Sequence, residues 1–274
     1  MDVRTFLGLV PSHNPFRWTM EVTPGLCSGT GFLFGGSALG AAISAMEVTT
    51  GRSCVWATAQ YLSYAKPGEV LDIDVTIAVH GHQITQARAT GQVGNREILT
   101  VNAALGRRPF DQAGTWEHLP PQVPRPDDCA PRELRSLTDN TINQRLDMRV
   151  AAGRALEDLD GTPSNGTYQM WARIPEIGEA MDASSLAVLG DFVPSGIGQA
   201  LGIRGGGNSL DNTIRIAQLV PTEWVLVDIH IHAVENGFGH GTVKMFAENG
   251  TLLAVASQSV IARHWSNPKE EVET

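Results

Sequence analysis

The chain is 274 residues long, 42% hydrophobic and 18% charged, with 29 acidic against 20 basic side chains. That length calls for two cores of about 100 to 150 residues each, and the apolar content is that of a folded protein, which excludes a largely disordered chain. A formal net charge of -9, with the basic residues scattered, excludes a nucleic-acid or anionic-membrane partner recognised by charge.

Cys27, Cys54 and Cys129 share no metal-ligand spacing and fit free thiols in a reducing compartment; no metal site is expected. The first fourteen residues lack the apolar core of a secretory signal, so a cytoplasmic location is expected. From Cys27 to Met46 no residue is charged, a length comparable to a membrane span. Gly29, Gly31, Gly35, Gly36 and Gly40 interrupt that run, which therefore reads as a buried helix with no membrane insertion.

In chain order, residues 34–48 carry Phe34, Leu39, Ala42, Ile43 and Met46 on nearly every face, the pattern of a helix wrapped on most sides. Four runs bounded by turn residues follow: 54–62, 69–80, 83–92 and 96–105. In the second, Ile73, Val75, Ile77 and Val79 alternate with Asp72, Asp74 and Thr76, the period of a half-buried strand. Gly81 and Gly94-Asn95 supply the hairpin turns of an antiparallel meander. Residues 107–133 hold Pro109, Pro120, Pro121, Pro124, Pro126 and Pro131, which cannot serve a central strand. Residues 145–150 and 168–173 then lead a second series, which consists of a largely apolar helix over 184–201 and strands over 213–218, 223–234, 239–247 and 252–263.

The two series match at an offset near 154. Asp74 lies opposite Asp228, Val75 opposite Ile229, Ile77 opposite Ile231, and the Gly94-Asn95 turn opposite Asn249-Gly250. Such agreement in order and spacing indicates internal duplication. The expected organisation is an N-terminal unit over 1–108, a proline-rich linker over 109–140, a C-terminal unit over 141–266 and a frayed, charged tail over 267–274. From the residues alone the fold class is α+β, two helix-on-sheet units.

Phe34-Gly35-Gly36-Ser37 followed by an alanine-rich helix and Lys66-Pro67-Gly68 resembles the acyl-CoA thioesterase II family. So do Leu146-Asp147-Met148-Arg149, Met170-Trp171-Ala172-Arg173, Leu189-Gly190-Asp191, Ser209-Leu210-Asp211-Asn212 and Ala256-Ser257-Gln258, in that order along nearly the whole chain. The resemblance implies a tandem double hotdog: two long helices, each wrapped by an antiparallel sheet, with the two sheets free to run on as one. It implies hydrolysis of acyl-CoA to free acid and CoA, hence a place in fatty-acid metabolism, without a covalent intermediate. CoA enters as part of the substrate and no other cofactor is expected. A homo-oligomer is expected from the way such sheets join edge to edge.

The family's catalytic Asp, Thr or Ser, and Gln fall on Asp191, Ser209 and Gln258. Serine is the rarer hydroxyl there and lacks the methyl that fixes the rotamer. A carboxylate that takes a proton and two neutral groups that hold one water suit attack on an electrophilic thioester. Gly35 and Gly36, at a helix start, are the candidates for the oxyanion-binding N–H groups. At an offset of 155 the trio faces Gly36, Cys54 and Ala103, so one composite site is expected.

Each of these residues also has an ordinary explanation. Asp191 could end a helix in solvent, Gln258 could point outward from its strand, and Ser209 follows Gly205-Gly-Gly-Asn208, part of the segment 202–208 read as a mobile rim near the CoA pocket. His230 and His232 share one strand face but lack a third ligand, and read as a solvent-facing stripe. Arg107, Arg108, Arg204 and Arg263 can meet CoA phosphates only by charge. Two other functions compete on this frame, an enoyl-CoA hydratase and a non-catalytic acyl-CoA binding protein. The first lacks its usual histidine after Asp191.

Overall fold

In a computed structural model, residues 1–120, 122–132 and 140–265 are described. The expected tail over 267–274, and residues 121 and 133–139 of the expected linker, lie outside the described residues.

Asp2 caps α1 (Val3–Leu7), and the chain then forms the short strands β1 (Leu9–Pro11) and β2 (Arg17–Glu21). Sequence reading missed all three, although Trp18 and Met20 turn inward from β2 in the alternation of a strand. Next comes the expected helix, α2 (Gly35–Thr50), ended by Gly51 in the left-handed conformation at φ 65. Leu39, Ile43 and Met46 are fully buried on one side and Ala38, Ala41, Ala42 and Ala45 on others, so the helix runs through the core. The meander follows as β3 (Cys54–Tyr61), β4 (Val70–His80), β5 (Ile84–Val93) and β6 (Arg96–Gly106), each within two residues of expectation.

The second series opens with β7 (Ala130–Pro131), α3 (Ile142–Arg145), β8 (Asp147–Ala152) and β9 (Thr167–Arg173). The single helix expected over 184–201 is two helices, α4 (Ala183–Leu189) and α5 (Val193–Leu201). Pro194, in the first turn of α5, has no N–H to donate to Gly190, so α4 cannot run through it. Gly190, Asp191 and Phe192 form the break. The segment read as a mobile rim loop is instead partly a strand, β10 (Gly205–Ser209), in register with residues 260–264. It is glycine-rich because a Cβ at Gly207 would fall 2.4 Å from the Ile261 carbonyl oxygen. β11 (Asp211–Ile216), β12 (Val225–Glu235), β13 (Phe238–Ala247) and β14 (Leu252–His264) complete the chain.

Among the described residues, all fourteen strands belong to one antiparallel sheet, ordered β1-β2-β4-β5-β6-β3-β11-β14-β13-β12-β9-β8-β7, with β10 alongside β14. Read outward from the centre, the two halves run through corresponding strands in the same order, β3-β6-β5-β4 against β11-β14-β13-β12, as duplication predicts. The seam is β3 against β11, where Thr58 pairs with Thr213 and their hydroxyls lie 2.6 Å apart, 155 residues apart in sequence. The continuous sheet and the double hotdog are therefore present. Helices α2 and α4 pass so closely that a Cβ at Gly40 would stand 2.8 Å from the Ser184 carbonyl oxygen. On the sheet's outer face, the proline-rich segment lays Leu119, Val123 and Cys129 over Trp171, Trp224, Leu226 and Phe246 as a second small core.

Candidate active site

The break between α4 and α5 delivers Asp191 to the start of α2, across the middle of the molecule. The residue is 3% exposed. Oδ2 accepts the Gly36 N–H at 2.5 Å. Oδ1 accepts from Ser209 Oγ at 3.4 Å, from Asn212 Nδ2 at 3.4 Å and, at short range, from Gln258 Nε2. Gln258 Nε2 also lies 3.1 Å from Ser209 Oγ. The orientation of that amide is set on its other side, where Oε1 accepts the Val193 N–H at 3.1 Å, so the NH₂ must face Asp191.

Asp191, Ser209 and Gln258 thus meet in one cluster. Gln258 faces the helices because Ala256, Gln258 and Val260 turn inward while Ser257 and Ser259 turn out. Ser209 is the last residue of β10, and Gly36 sits in the first turn of α2. A Cβ at Gly36 would lie 2.9 Å from the Ala187 carbonyl oxygen and 3.0 Å from Asp191 Cβ, which is why only glycine admits the break so near the helix start. Gly35 does not bond the carboxylate, but a Cβ there would come 2.7 Å from Asp191 Oδ2 and 2.9 Å from the Tyr61 hydroxyl.

Burial pushes the Asp191 carboxyl up to about 7, against the Gly36 N–H, Gln258, Ser209 and Asn212, which all favour the charged form. A carboxyl poised there can hold or release a proton near neutral pH. The Tyr61 phenol is held well above its usual range by burial and then by the charges of Asp191 and Asp211, with Asn212 opposing.

Asn212 and Tyr61 are the members sequence reading missed. Asn212 was visible three residues after Ser209, but a strand asparagine carries no signal of its own. Its Oδ1 and Tyr61 Oη are both shut off from solvent and have no hydrogen-bond partner among the described residues.

The pseudo-equivalent positions Gly36, Cys54 and Ala103 form no second polar trio, since Cys54 and Ala103 are buried and lack carboxylate or amide groups. His230 bonds Asp228 at 3.1 Å and His232 bonds Thr242 at 3.0 Å; among the described residues no group of three or more metal-ligating side chains converges. Arg107, Arg108 and Arg263 are exposed, while Arg204 donates to the Leu156 carbonyl at 3.3 Å. None of the four contacts the Asp191 cluster. Among the described residues no helix is long and apolar enough to cross a membrane. An open depression of about 440 Å³ lies over Thr58, Gln60, Asn102 and Ser259. It opens on the outer face of the sheet, opposite Gln258, and is separate from the Asp191 cluster.

Residues 126–262 match the family model of the acyl-CoA thioesterase C-terminal domain. A crystal structure of a candidate thioesterase from Novosphingobium aromaticivorans is similar at TM-score 0.82 and 33% identity, over 92% of this chain and 97% of that one. A hot dog fold protein of unknown function from Alicyclobacillus acidocaldarius is similar at TM-score 0.81 and 17% identity, over 96% and 98% of the two chains. The acyl-CoA thioesterase II TesB2 of Mycobacterium marinum is similar at 0.74 and 19% identity, over 97% and 99%. The last two bear on the fold alone. No curated protein matches the chain in sequence.

Proposed function

The chain belongs to the acyl-CoA thioesterase family and is a thioester hydrolase, and from that premise we propose that it cleaves acyl-CoA with a water activated by Asp191. The observation that carries this reading is the buried carboxylate at the start of α2, met by Ser209, Gln258 and Asn212. Contacts at 3.4 Å are at the limit of a hydrogen bond, so a water displaces those from Ser209 and Asn212 at little cost.

That water gives its proton to Asp191 as its oxygen bonds the thioester carbon. Ser209, able to donate and to accept, and the Gln258 NH₂, which donates, hold it in line. The carbonyl π pair moves onto oxygen, where the Gly36 N–H, released by Asp191, receives it with the positive end of α2 behind. Gly35 contributes by having no side chain to obstruct the carbonyl. When the C–S bond breaks, its electron pair leaves on sulfur, which takes the proton held by Asp191 and departs as CoA thiol. The products are the free acid and CoA, and a general base of ordinary effectiveness supplies about 10² to 10⁴ of the rate.

The test is release of free CoA, read with a thiol reagent, across acyl-CoAs of graded length and branching. Turnover by the wild type and a loss of about a hundredfold or more in Asp191→Ala are expected. Undiminished turnover in the variant removes Asp191 from the chemistry, and no release by the wild type on any chain length overturns the reading.

A further inference from the structure

The Tyr61 hydroxyl is a buried polar group at the site that the mechanism has not used. Nearly all such groups in folded proteins are paired, and an unpaired one lowers stability unless something else binds it. Tyr61 Oη is closed to solvent and, although the Asn212 side chain stands close by, has no partner of good hydrogen-bond geometry among the described residues; part of the residue remains exposed. It does not bond the nearby carboxylate. Instead, it and Asp191 Oδ2 border the same point, the space where Gly35 lacks a Cβ, at 2.9 and 2.7 Å.

The position of Tyr61 is rigid. It is the last residue of β3 and is paired with Leu99. Its N–H donates to the Leu210 carbonyl at 2.9 Å, and the Leu210 N–H donates to the Ser259 carbonyl at 2.8 Å. The chain that carries Ser209 and the strand that carries Gln258 are thereby tied to Tyr61. Since burial and neighbouring carboxylates keep the phenol protonated, it can donate but cannot act as a base.

We propose that Tyr61 is a catalytic residue of the first half, whose O–H donates to the thioester carbonyl oxygen as negative charge develops there. This rests on the thioesterase reading. It gives the oxyanion a second donor beside the Gly36 N–H. The electron pair that moves from the C=O bond onto oxygen is held by a hydrogen bond while the proton stays on Tyr61, and it returns to re-form the carbonyl when sulfur leaves.

Tyr61→Phe keeps the ring and removes only the hydroxyl. Loss of one oxyanion donor lowers turnover by about 10² to 10³, so kcat for acyl-CoA should fall about a hundredfold with KM within threefold. The melting temperature should hold or rise, because an unpaired buried group has gone; a hydroxyl with a structural role would lower it. A second measurement does not depend on turnover. Two inert CoA analogues are compared by calorimetry, a ketone that keeps the carbonyl and replaces sulfur by CH₂, and a thioether that keeps sulfur and lacks the carbonyl. Tyr61→Phe should weaken the ketone about tenfold and leave the thioether unchanged. Turnover within twofold of wild type, or equal weakening of both analogues, overturns the proposal. If the wild type hydrolyses no acyl-CoA, the thioesterase reading fails, and the analogue pair still decides whether Tyr61 meets a carbonyl.

Discussion

Replacing Asp191 by asparagine should stabilise the fold at alkaline pH while stopping catalysis, and the size of the effect follows from the site. The carboxyl rises from an ordinary 3.8 to about 7 because it is buried. Between those values the folded chain holds a proton that the unfolded chain has lost, so stability falls as pH rises, by about 1.4 kcal/mol per unit. From pH 5 to pH 7 the wild type therefore gives up about 3 kcal/mol at this one residue, and above pH 7 nothing further. Asparagine carries no charge and escapes that loss. Its Oδ1 can take the three donors now on Asp191 Oδ1, but its NH₂ then faces the Gly36 N–H, a donor against a donor, at a cost of about 1 to 3 kcal/mol at every pH.

The difference between Asp191→Asn and wild type should thus move by about 3 kcal/mol in favour of the variant on going from pH 5 to pH 8. Urea unfolding of both proteins at the two pH values measures it. Glu47, raised to about 6 by burial, and Asp182, also raised by burial, contribute equally to both and cancel. A difference that stays constant from pH 5 to pH 8 refutes the claim that burial dominates the carboxyl.

The same group should set an acid limb in kcat/KM for acyl-CoA near pH 7. Below it the rate should drop tenfold per pH unit as Asp191 takes up its proton, whereas a flat profile from pH 5.5 to 8 points to another base. Gly35→Ala places a methyl 2.7 Å from Asp191 Oδ2 and 2.9 Å from the Tyr61 hydroxyl. Displacing the two should cost about 1 to 3 kcal/mol of stability, with retained circular dichroism, and about tenfold or more of kcat. A fully active alanine variant would mean that neither side chain needs its position.

The polar trio was legible through the resemblance, which aligned Asp191, Ser209 and Gln258 with the family's catalytic groups. The residues alone offered one physical signal, a carboxylate inside an apolar run, which must be either paired or functional. Which way Gln258 turned was left open until β14 showed Ala256, Gln258 and Val260 facing the helices. What could not be read was anything decided across the seam. Tyr61 ends an ordinary strand, and only the fold brings it against Gly35 and Asp191. The helix break depends on Pro194 being placed where a donor is required, a signal that the apolar run around it obscured. β10 was hidden because Gly205, Gly206 and Gly207 have no side chains to alternate, and the proline-rich segment's packing on the outer sheet depends on Leu119 and Val123, which look like loop residues until Trp171 and Phe246 are beneath them.

The proposed reactive centre draws on Gly36 in the first long helix and on Gln258 in β14, with Asp191 between them. On that mechanism no growing polypeptide brings these groups together until β14 has left the ribosome and closed against β11. A product truncated before that strand keeps α2 and the whole first meander, yet it lacks the amide that orients the acid. On the proposed mechanism, the order in which the pieces are made keeps partial chains from hydrolysing acyl-CoA.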